Sequence, residues 1–192
     1  MSSSTPVVVR ARRLVAGNSK WNVFHDHVRD VASGAEIPDW VVLEPKVRQG
    51  DLISGVTVLP VVGDAILLIR NYRHPVQRHG WEAVRGFIDS GETPAEAAVR
   101  ELAEEAALRC PAENLISLGF AQPEPSTLSA RSALFAAPGH SSHTERDGEE
   151  LGLGEVRSFS IAEAAGMMRR FEIEDCLTSL ALHRYLTIRG AW

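Results

Sequence analysis

Cysteine is scarce in this chain. Cys110 and Cys176 are all of it, and neither belongs to a CxxC pair, which argues against a structural zinc site. Two buried, reduced thiols are expected rather than a disulfide. Long apolar runs are lacking too. Near the N-terminus only Val7 to Val9 stand together, too short for a signal peptide or a membrane span. The expectation is a soluble, cytoplasmic protein with no membrane partner. Basic residues are not in excess: Lys and Arg number 20 against 25 Asp and Glu, a net charge of -5. Nothing in that balance advertises a nucleic-acid surface. No internal repeat or long low-complexity stretch is present. What remains is an ordinary globular mixture, 44% hydrophobic and 23% charged over 192 residues. That is enough to bury one core, with room for a small appendage.

Local patterns divide the chain near Gly50. Residues 1–49 read as a small antiparallel β appendage. Val7-Val8-Val9 starts a strand, Gly17-Asn18-Ser19 is a turn, Trp21 to Arg29 alternates as a strand, and Val41-Val42-Leu43 is a short one. Residues 50–192 read as the main domain. Leu52 to Val62 and Ala65 to Arg70 are β-rich runs joined by Gly63-Asp64, a hairpin signal. Gly80 to Gly91 carries three glycines and reads as loop. Leu115 to Phe120 and Ser132 to Ala137 read as strands around a Pro-rich loop, and His140 to Gly154 as a polar mobile loop. Val156 to Ser160 is a short strand. Ser160 and Glu163 form a capping box for a helix to about Phe171, and Asp175 to Ile188 is a last helix. The sum is an α+β fold.

The helix that matters most runs from Ala95 to Leu108. Thr93 is its predicted N-cap, Pro94 suits the first helical position, and Glu96 completes a capping box. Residues three and four apart share a helix face, so Glu101, Glu104 and Glu105 crowd together. Ala98, Leu102 and Leu108 can face the core opposite them. Like charges at that spacing cost a few tenths of a kcal/mol per pair. Arg100 can offset them by pairing with Glu96 or Glu104, and so can a hard divalent cation such as Mg²⁺ or Mn²⁺, which prefers oxygen ligands.

Register then decides. Gly86, Glu92, Arg100, Glu101, Leu102, Glu104, Glu105 and Leu108 fall on the pattern G-x5-E-x7-R-E-U-x-E-E-x-G-U, where U is aliphatic. At average residue usage its specific positions coincide on the order of once in ten million starting points. This stretch resembles the Nudix box. It departs at Ala107, where the family has glycine, a difference that matters if the position needs positive φ. The resemblance implies an α/β/α sandwich, a mixed sheet between helices. It implies that Glu101, Glu104, Glu105 and the backbone carbonyl of Arg85 hold Mg²⁺, with Mn²⁺ as a substitute. It also implies that Glu92 and Arg100 form a structural ion pair orienting the loop that Gly86 opens.

The flanks resemble one branch of that family. Leu67-Leu68-Ile69-Arg70-Asn71-Tyr72-Arg73-His74-Pro75, Trp81-Glu82-Ala83-Val84-Arg85-Gly86 and Ile173-Glu174-Asp175-Cys176-Leu177-Thr178 resemble stretches of ADP-ribose and nucleoside-diphosphate-sugar pyrophosphatases. That implies hydrolysis of a pyrophosphate bond to a nucleoside monophosphate and a sugar phosphate. It implies a homodimer, with the N-terminal appendage in dimerisation and nucleobase contact. Arg73 is a candidate phosphate clamp, or a surface arginine at a strand end. Glu82 is a ribose or metal contact, or a packing salt bridge. Arg85 joins the substrate contacts. Trp21 stacks on the base, or fills a buried or dimer-interface position. Glu149 and Glu150 are candidate general bases, or members of a solvated acidic loop.

The loop Gln122 to Ala130 has no glutamate at the end where ADP-ribose enzymes often carry one, so a GDP-sugar or another dinucleotide stays open as substrate. A reading of another class is a Nudix-fold module that senses a nucleotide without cutting it. The intact glutamates argue against it, since their repulsion has no use without metal.

Overall fold

The structure, a computed structural model, describes residues 5–141 and 154–190. The chain opens with an antiparallel sheet of β1 (Val7–Gly17), β2 (Trp21–Asp30) and β3 (Glu36–Pro45), in that order. The first turn is tightened by Asn18, whose Oδ1 accepts from the N–H groups of Lys20 and Trp21 at 2.9 and 2.8 Å. β1 and β3 run well past the apolar triplets that mark them in the sequence. Cross-strand polar pairs carry the extension. Arg12 grips the buried Asp26 through Nε and Nη2 at 2.8 and 2.7 Å.

The following elements are β4 (Ile53–Val62), β5 (Ala65–Arg73), β6 (Arg78–Glu82), β7 (Val84–Phe87), α1 (Pro94–Ala106), β8 (Leu108–Arg109), β9 (Ile116–Ala121), β10 (Arg131–Pro138), β11 (His140–Ser141), β12 (Val156–Ser160), α2 (Ile161–Arg169) and α3 (Cys176–Ile188). The large sheet has the order β12-β5-β4-β10-β9, with β10 parallel to β4 and its other pairs antiparallel. β8 and β11 make a separate short pair.

One topological detail builds the site. β4 and β5 pair only next to their hairpin, at Val61↔Ile66 and Val62↔Ala65. Beyond it they part. β7 pairs with β4 from Gly55 to Val58, and β6 pairs with β5 from Ile69 to Arg73. The stretch 80–91 is therefore largely strand, not the loop its glycines suggest. Glu82, Ala83, Val84 and Ile88 are buried there, and burial on both faces decides against a solvated turn.

The strands alternate strictly. Val56, Val58, Ile69 and Ala133 face one side, where α1 lays down Ala97, Ala98 and Leu102. Leu59, Val61, Ile66, Leu68 and Leu134 face the other, under Ala164 of α2 and Ala181, Leu182 and Tyr185 of α3. The result is a mixed sheet between helices, as expected. Both capping boxes are present, Thr93 with Glu96 and Ser160 with Glu163. The thiol expectation is corrected in one respect: both cysteines are free, but only Cys110 is buried, and Cys176 is exposed at the start of α3. Among the described residues no helix is long and apolar enough to cross a membrane.

Candidate active site

α1 presents its carboxylates to the region where β4 and β5 part. Its inner face is fixed by Leu102, fully buried, and Glu101 and Glu105, one turn apart along one flank of that stripe, are drawn in to 7% and 3% exposure. Glu104, further round, keeps a side chain 41% exposed. Gly86 makes the space for Glu101. A Cβ at Gly86 would lie 1.8 Å from Glu101 Oε1, so any side chain there would occupy the carboxylate's position. The neighbouring strand is close as well. A Cβ on Gly55 would meet the Gly86 carbonyl at 2.9 Å. Glu105 accepts from the Arg85 N–H at 3.2 Å, which sets the Arg85 peptide beside the helix.

Arg100 ties this cradle to the loop ahead of the helix. Its Nε and Nη2 donate to the two oxygens of Glu92 at 2.9 and 3.0 Å, and Nη2 also donates to the Phe87 carbonyl at 2.8 Å. Its Nη1 donates to Glu101 and Glu104 at 2.7 and 3.1 Å. Glu92 also accepts from the Asp89 N–H at 2.9 Å. The hydrogen bonds from Arg100 hold the Glu92 carboxyl below its ordinary value, and Glu92 in turn holds Arg100 charged. The crowding expected from the sequence is thus met at Glu101 and Glu104 by one guanidinium.

A second ion network forms the adjoining wall. Glu82, 3% exposed, receives Arg73 Nη2 at 2.6 Å and Arg85 Nη2 at 2.9 Å. Arg85 Nη1 donates to Asp175 Oδ1 at 2.7 Å. Asp175 caps α3, with Oδ2 accepting from the Thr178 N–H at 2.8 Å and its hydroxyl at 2.6 Å. The Thr178 oxygen accepts in turn from the Ala83 N–H at 2.9 Å.

These parts enclose a cavity of about 650 Å³ whose lining includes Trp21, Arg73, Arg85, Gly86, Arg100, Glu101 and Glu104. Residues predicted from stretches far apart in the chain therefore meet. Trp21 packs edge-on to Phe87 with centroids 5.4 Å apart, and Lys20 lies 5.5 Å from the same ring. Pro123, Leu128 and Ala130 line the cavity as well. Their loop is docked onto β3, where Leu43 exchanges backbone bonds with Thr127 and Ser129 and the Trp40 indole donates to the Ser126 carbonyl at 3.1 Å. Glu105 sits behind the lining, and Glu82 lines a neighbouring cavity that shares Arg73 and Arg85. Glu149 and Glu150 lie outside the described residues.

The sequence signals for Lys20, Phe87, Leu128 and Arg131 were missed, since single lysines, apolar residues and strand-end arginines carry no pattern. Asp175 and Thr178 were visible as a helix start with Asp three residues ahead of Thr. Their link to Arg85 spans the sheet and leaves no local trace.

The donor set suits a hard cation. Three carboxylates on one rigid helix, two of them buried, supply oxygen and nothing softer. The space beneath Gly86 holds Glu101 rather than any other side chain. In this arrangement Arg100 engages Glu101 and Glu104, and no acidic, histidine or cysteine side chains gather as a metal-holding group among the described residues. Glu101 and Glu104 would hold a cation by turning from Arg100, which keeps Glu92.

A mixed sheet between helices, split to seat a glycine against the carboxylates of α1, is the Nudix fold. The model of the NUDIX domain matches residues 51–175, and the chain belongs to that family. Among known proteins, an ADP-sugar pyrophosphatase of Mus musculus is 34% identical over 71 residues, 34% of this chain and 33% of that one. An octanoyltransferase of Myxococcus xanthus is 44% identical over 50 residues, 26% of this chain and 13% of that one. The alignments thus span a third or less of these curated relatives. A crystal structure of an ADP compounds hydrolase matches over 100% of both chains with a TM-score of 0.77 and 21% identity, a likeness of fold.

Proposed function

We propose that this chain hydrolyses the pyrophosphate bond of ADP-ribose or a related nucleoside diphosphate sugar, giving a nucleoside monophosphate and a sugar phosphate. The observation that carries this reading is the seating of Glu101 under Gly86, with Glu105 buried beside it, at a cavity that also gathers Arg73, Arg85 and Trp21. In this reading Mg²⁺, or Mn²⁺ in its place, would be held by Glu101, Glu104, Glu105 and the Arg85 carbonyl, and would supply charge neutralisation and a more acidic water.

The chain's own residues do the rest. Arg73 and Arg85 bring their guanidinium charge to the non-bridging phosphate oxygens, already oriented by Glu82 so that little freedom is lost on binding. Glu82 contributes through them. A water oxygen attacks one phosphorus, and the bridging oxygen leaves with the other phosphate. A glutamate of the 145–155 segment, Glu149 or Glu150, takes the water's proton. Trp21, braced by Phe87, offers a face to the nucleobase, and Leu128 and Pro123 add apolar surface to the same cavity.

The appendage of residues 1–49 serves dimerisation as well as base contact. Val7, Val9, Leu14, Ile37, Trp40 and Val41 are exposed on its strands, apolar side chains that a partner copy would cover. The similarity to the mouse ADP-sugar pyrophosphatase supports the substrate class.

The test is incubation of the purified chain with Mg²⁺ and ADP-ribose, ADP-glucose, GDP-mannose, NADH and a dinucleoside diphosphate, with products identified by chromatography. AMP and ribose 5-phosphate from ADP-ribose are expected. Tight nucleotide binding with no product from any member would favour a sensor instead.

A further inference from the structure

We propose that Asp175 is a positioning residue that sets the orientation of Arg85 in the substrate cavity, and that its capping of α3 is only half of its role. The inference rests on the reading of Arg85 as a diphosphate contact. A cap needs one side-chain oxygen, and Asn or Ser supplies it about as well as Asp. Asp175 divides its two. Oδ2 caps, accepting from the Thr178 N–H and hydroxyl at 2.8 and 2.6 Å, while Oδ1 takes Arg85 Nη1 at 2.7 Å.

Glu82 holds the other end of the guanidinium, at Nη2, from 2.9 Å. Fixed at both ends, Arg85 has one orientation, and its side chain keeps 24% exposure toward the cavities it lines. The backbone of the same segment is referenced to the same point. Thr178, fully buried, accepts from the N–H of Ala83, two residues before Arg85. Through this pair α3, packed on the face of the sheet opposite α1, fixes both the strand and the side chain of a cavity residue.

Asp175→Asn separates the two roles. The amide oxygen must face Thr178 to keep the cap, which turns the amide NH₂ toward Arg85 Nη1, donor against donor. The cap survives and the tether does not.

The experiment is a double-mutant cycle on the full chain with Asp175→Asn, Arg85→Ala and both together. Affinity for ADP is read by calorimetry on the metal-free protein, and kcat and KM are read with ADP-ribose and Mg²⁺. Asp175→Asn is expected to weaken ADP binding and raise KM by roughly tenfold, with the unfolding midpoint shifted by no more than about 2 °C. The double variant should bind no more weakly than Arg85→Ala. Asp175→Ser, also a cap, should behave as Asp175→Asn does. Unchanged affinity and KM in these variants, or effects that simply add to those of Arg85→Ala, would overturn the proposal. Cleavage of ADP-ribose by the wild type with a silent Asp175→Asn would sink the positioning role and leave the hydrolase reading standing. A non-additive ADP cycle without cleavage would do the reverse. A wild type that binds no ADP would count against both.

Discussion

Ala107 ends α1 at φ 52 and ψ 38, its N–H donating to the Leu102 carbonyl. That is the left-handed region, which costs a residue with a Cβ about 1–2 kcal/mol and costs glycine almost nothing. The family pattern has glycine here, so the chain carries local strain at the end of its most important helix. Ala107→Gly should stabilise the protein by about 0.5–1 kcal/mol, since glycine's greater freedom in the unfolded chain takes back part of the gain. Thermal unfolding should show a midpoint raised by about 1–4 °C, and a lowered one would contradict the strain. Gly86 poses the opposite case. Gly86→Ala places a methyl group where the Glu101 carboxylate lies. Activity should fall by roughly a hundredfold while the circular dichroism spectrum stays that of a folded chain; near-normal turnover would show that Glu101 is not needed in that position. The cysteines report the local packing. Cys110 is buried and Cys176 is exposed; desolvation pushes both thiols up, so access rather than acidity separates them. One thiol per native chain should react quickly with a disulfide reagent, and the second only on unfolding.

At the scale of elements, the coupling between the loop after Gly86 and α1 depends on one ionised carboxylate. Glu92 sits below its ordinary value of 4.5 because of Arg100. Its stabilising contribution is therefore fully present above that value and is lost as pH falls through the lowered folded one. Glu92→Gln should cost about 2 kcal/mol at pH 7, and the gap to wild type should narrow only as pH falls below 4.5. A gap in denaturant midpoints that ignores pH would show that the charge is not what couples them. The elements also show what can be read from sequence. α1 was legible because its signals are local: Thr93, Pro94 and Glu96 mark its start, and the glutamate spacing marks the face it turns to the site. β6 and β7 were not, because Gly80, Gly86 and Gly91 imitate turns. Gly86 is present for close approach to Glu101, a reason that exists only once α1 is folded against the sheet. The Pro-rich loop was legible as loop, but its docking on β3 beside the cavity depends on contacts over 80 residues apart, such as Trp40 to Ser126.

On the scale of the whole molecule, the site is a meeting of distant segments, and only some of that meeting was written locally. Trp21, Arg73 and the box residues were singled out separately, and the split between β4 and β5 brings them to one cavity. The arginine pair held by Glu82 and Asp175 emerged only from the packing of α3 across the sheet. The exposed apolar strands of the appendage predict association between copies. Sedimentation at micromolar concentration should give a dimer, and Val9→Glu with Trp40→Glu should shift it toward monomer; a wild-type monomer would contradict that assignment. Everything else depends on the carboxylates of α1 serving pyrophosphate hydrolysis. The most direct test compares Mg²⁺-dependent ADP-ribose cleavage by wild type and Glu105→Gln, side by side. The wild type should release AMP and ribose 5-phosphate, and the variant, which keeps the volume of the buried side chain and removes its charge, should lose at least about a hundredfold in kcat. A fully active Glu105→Gln would contradict the assignment.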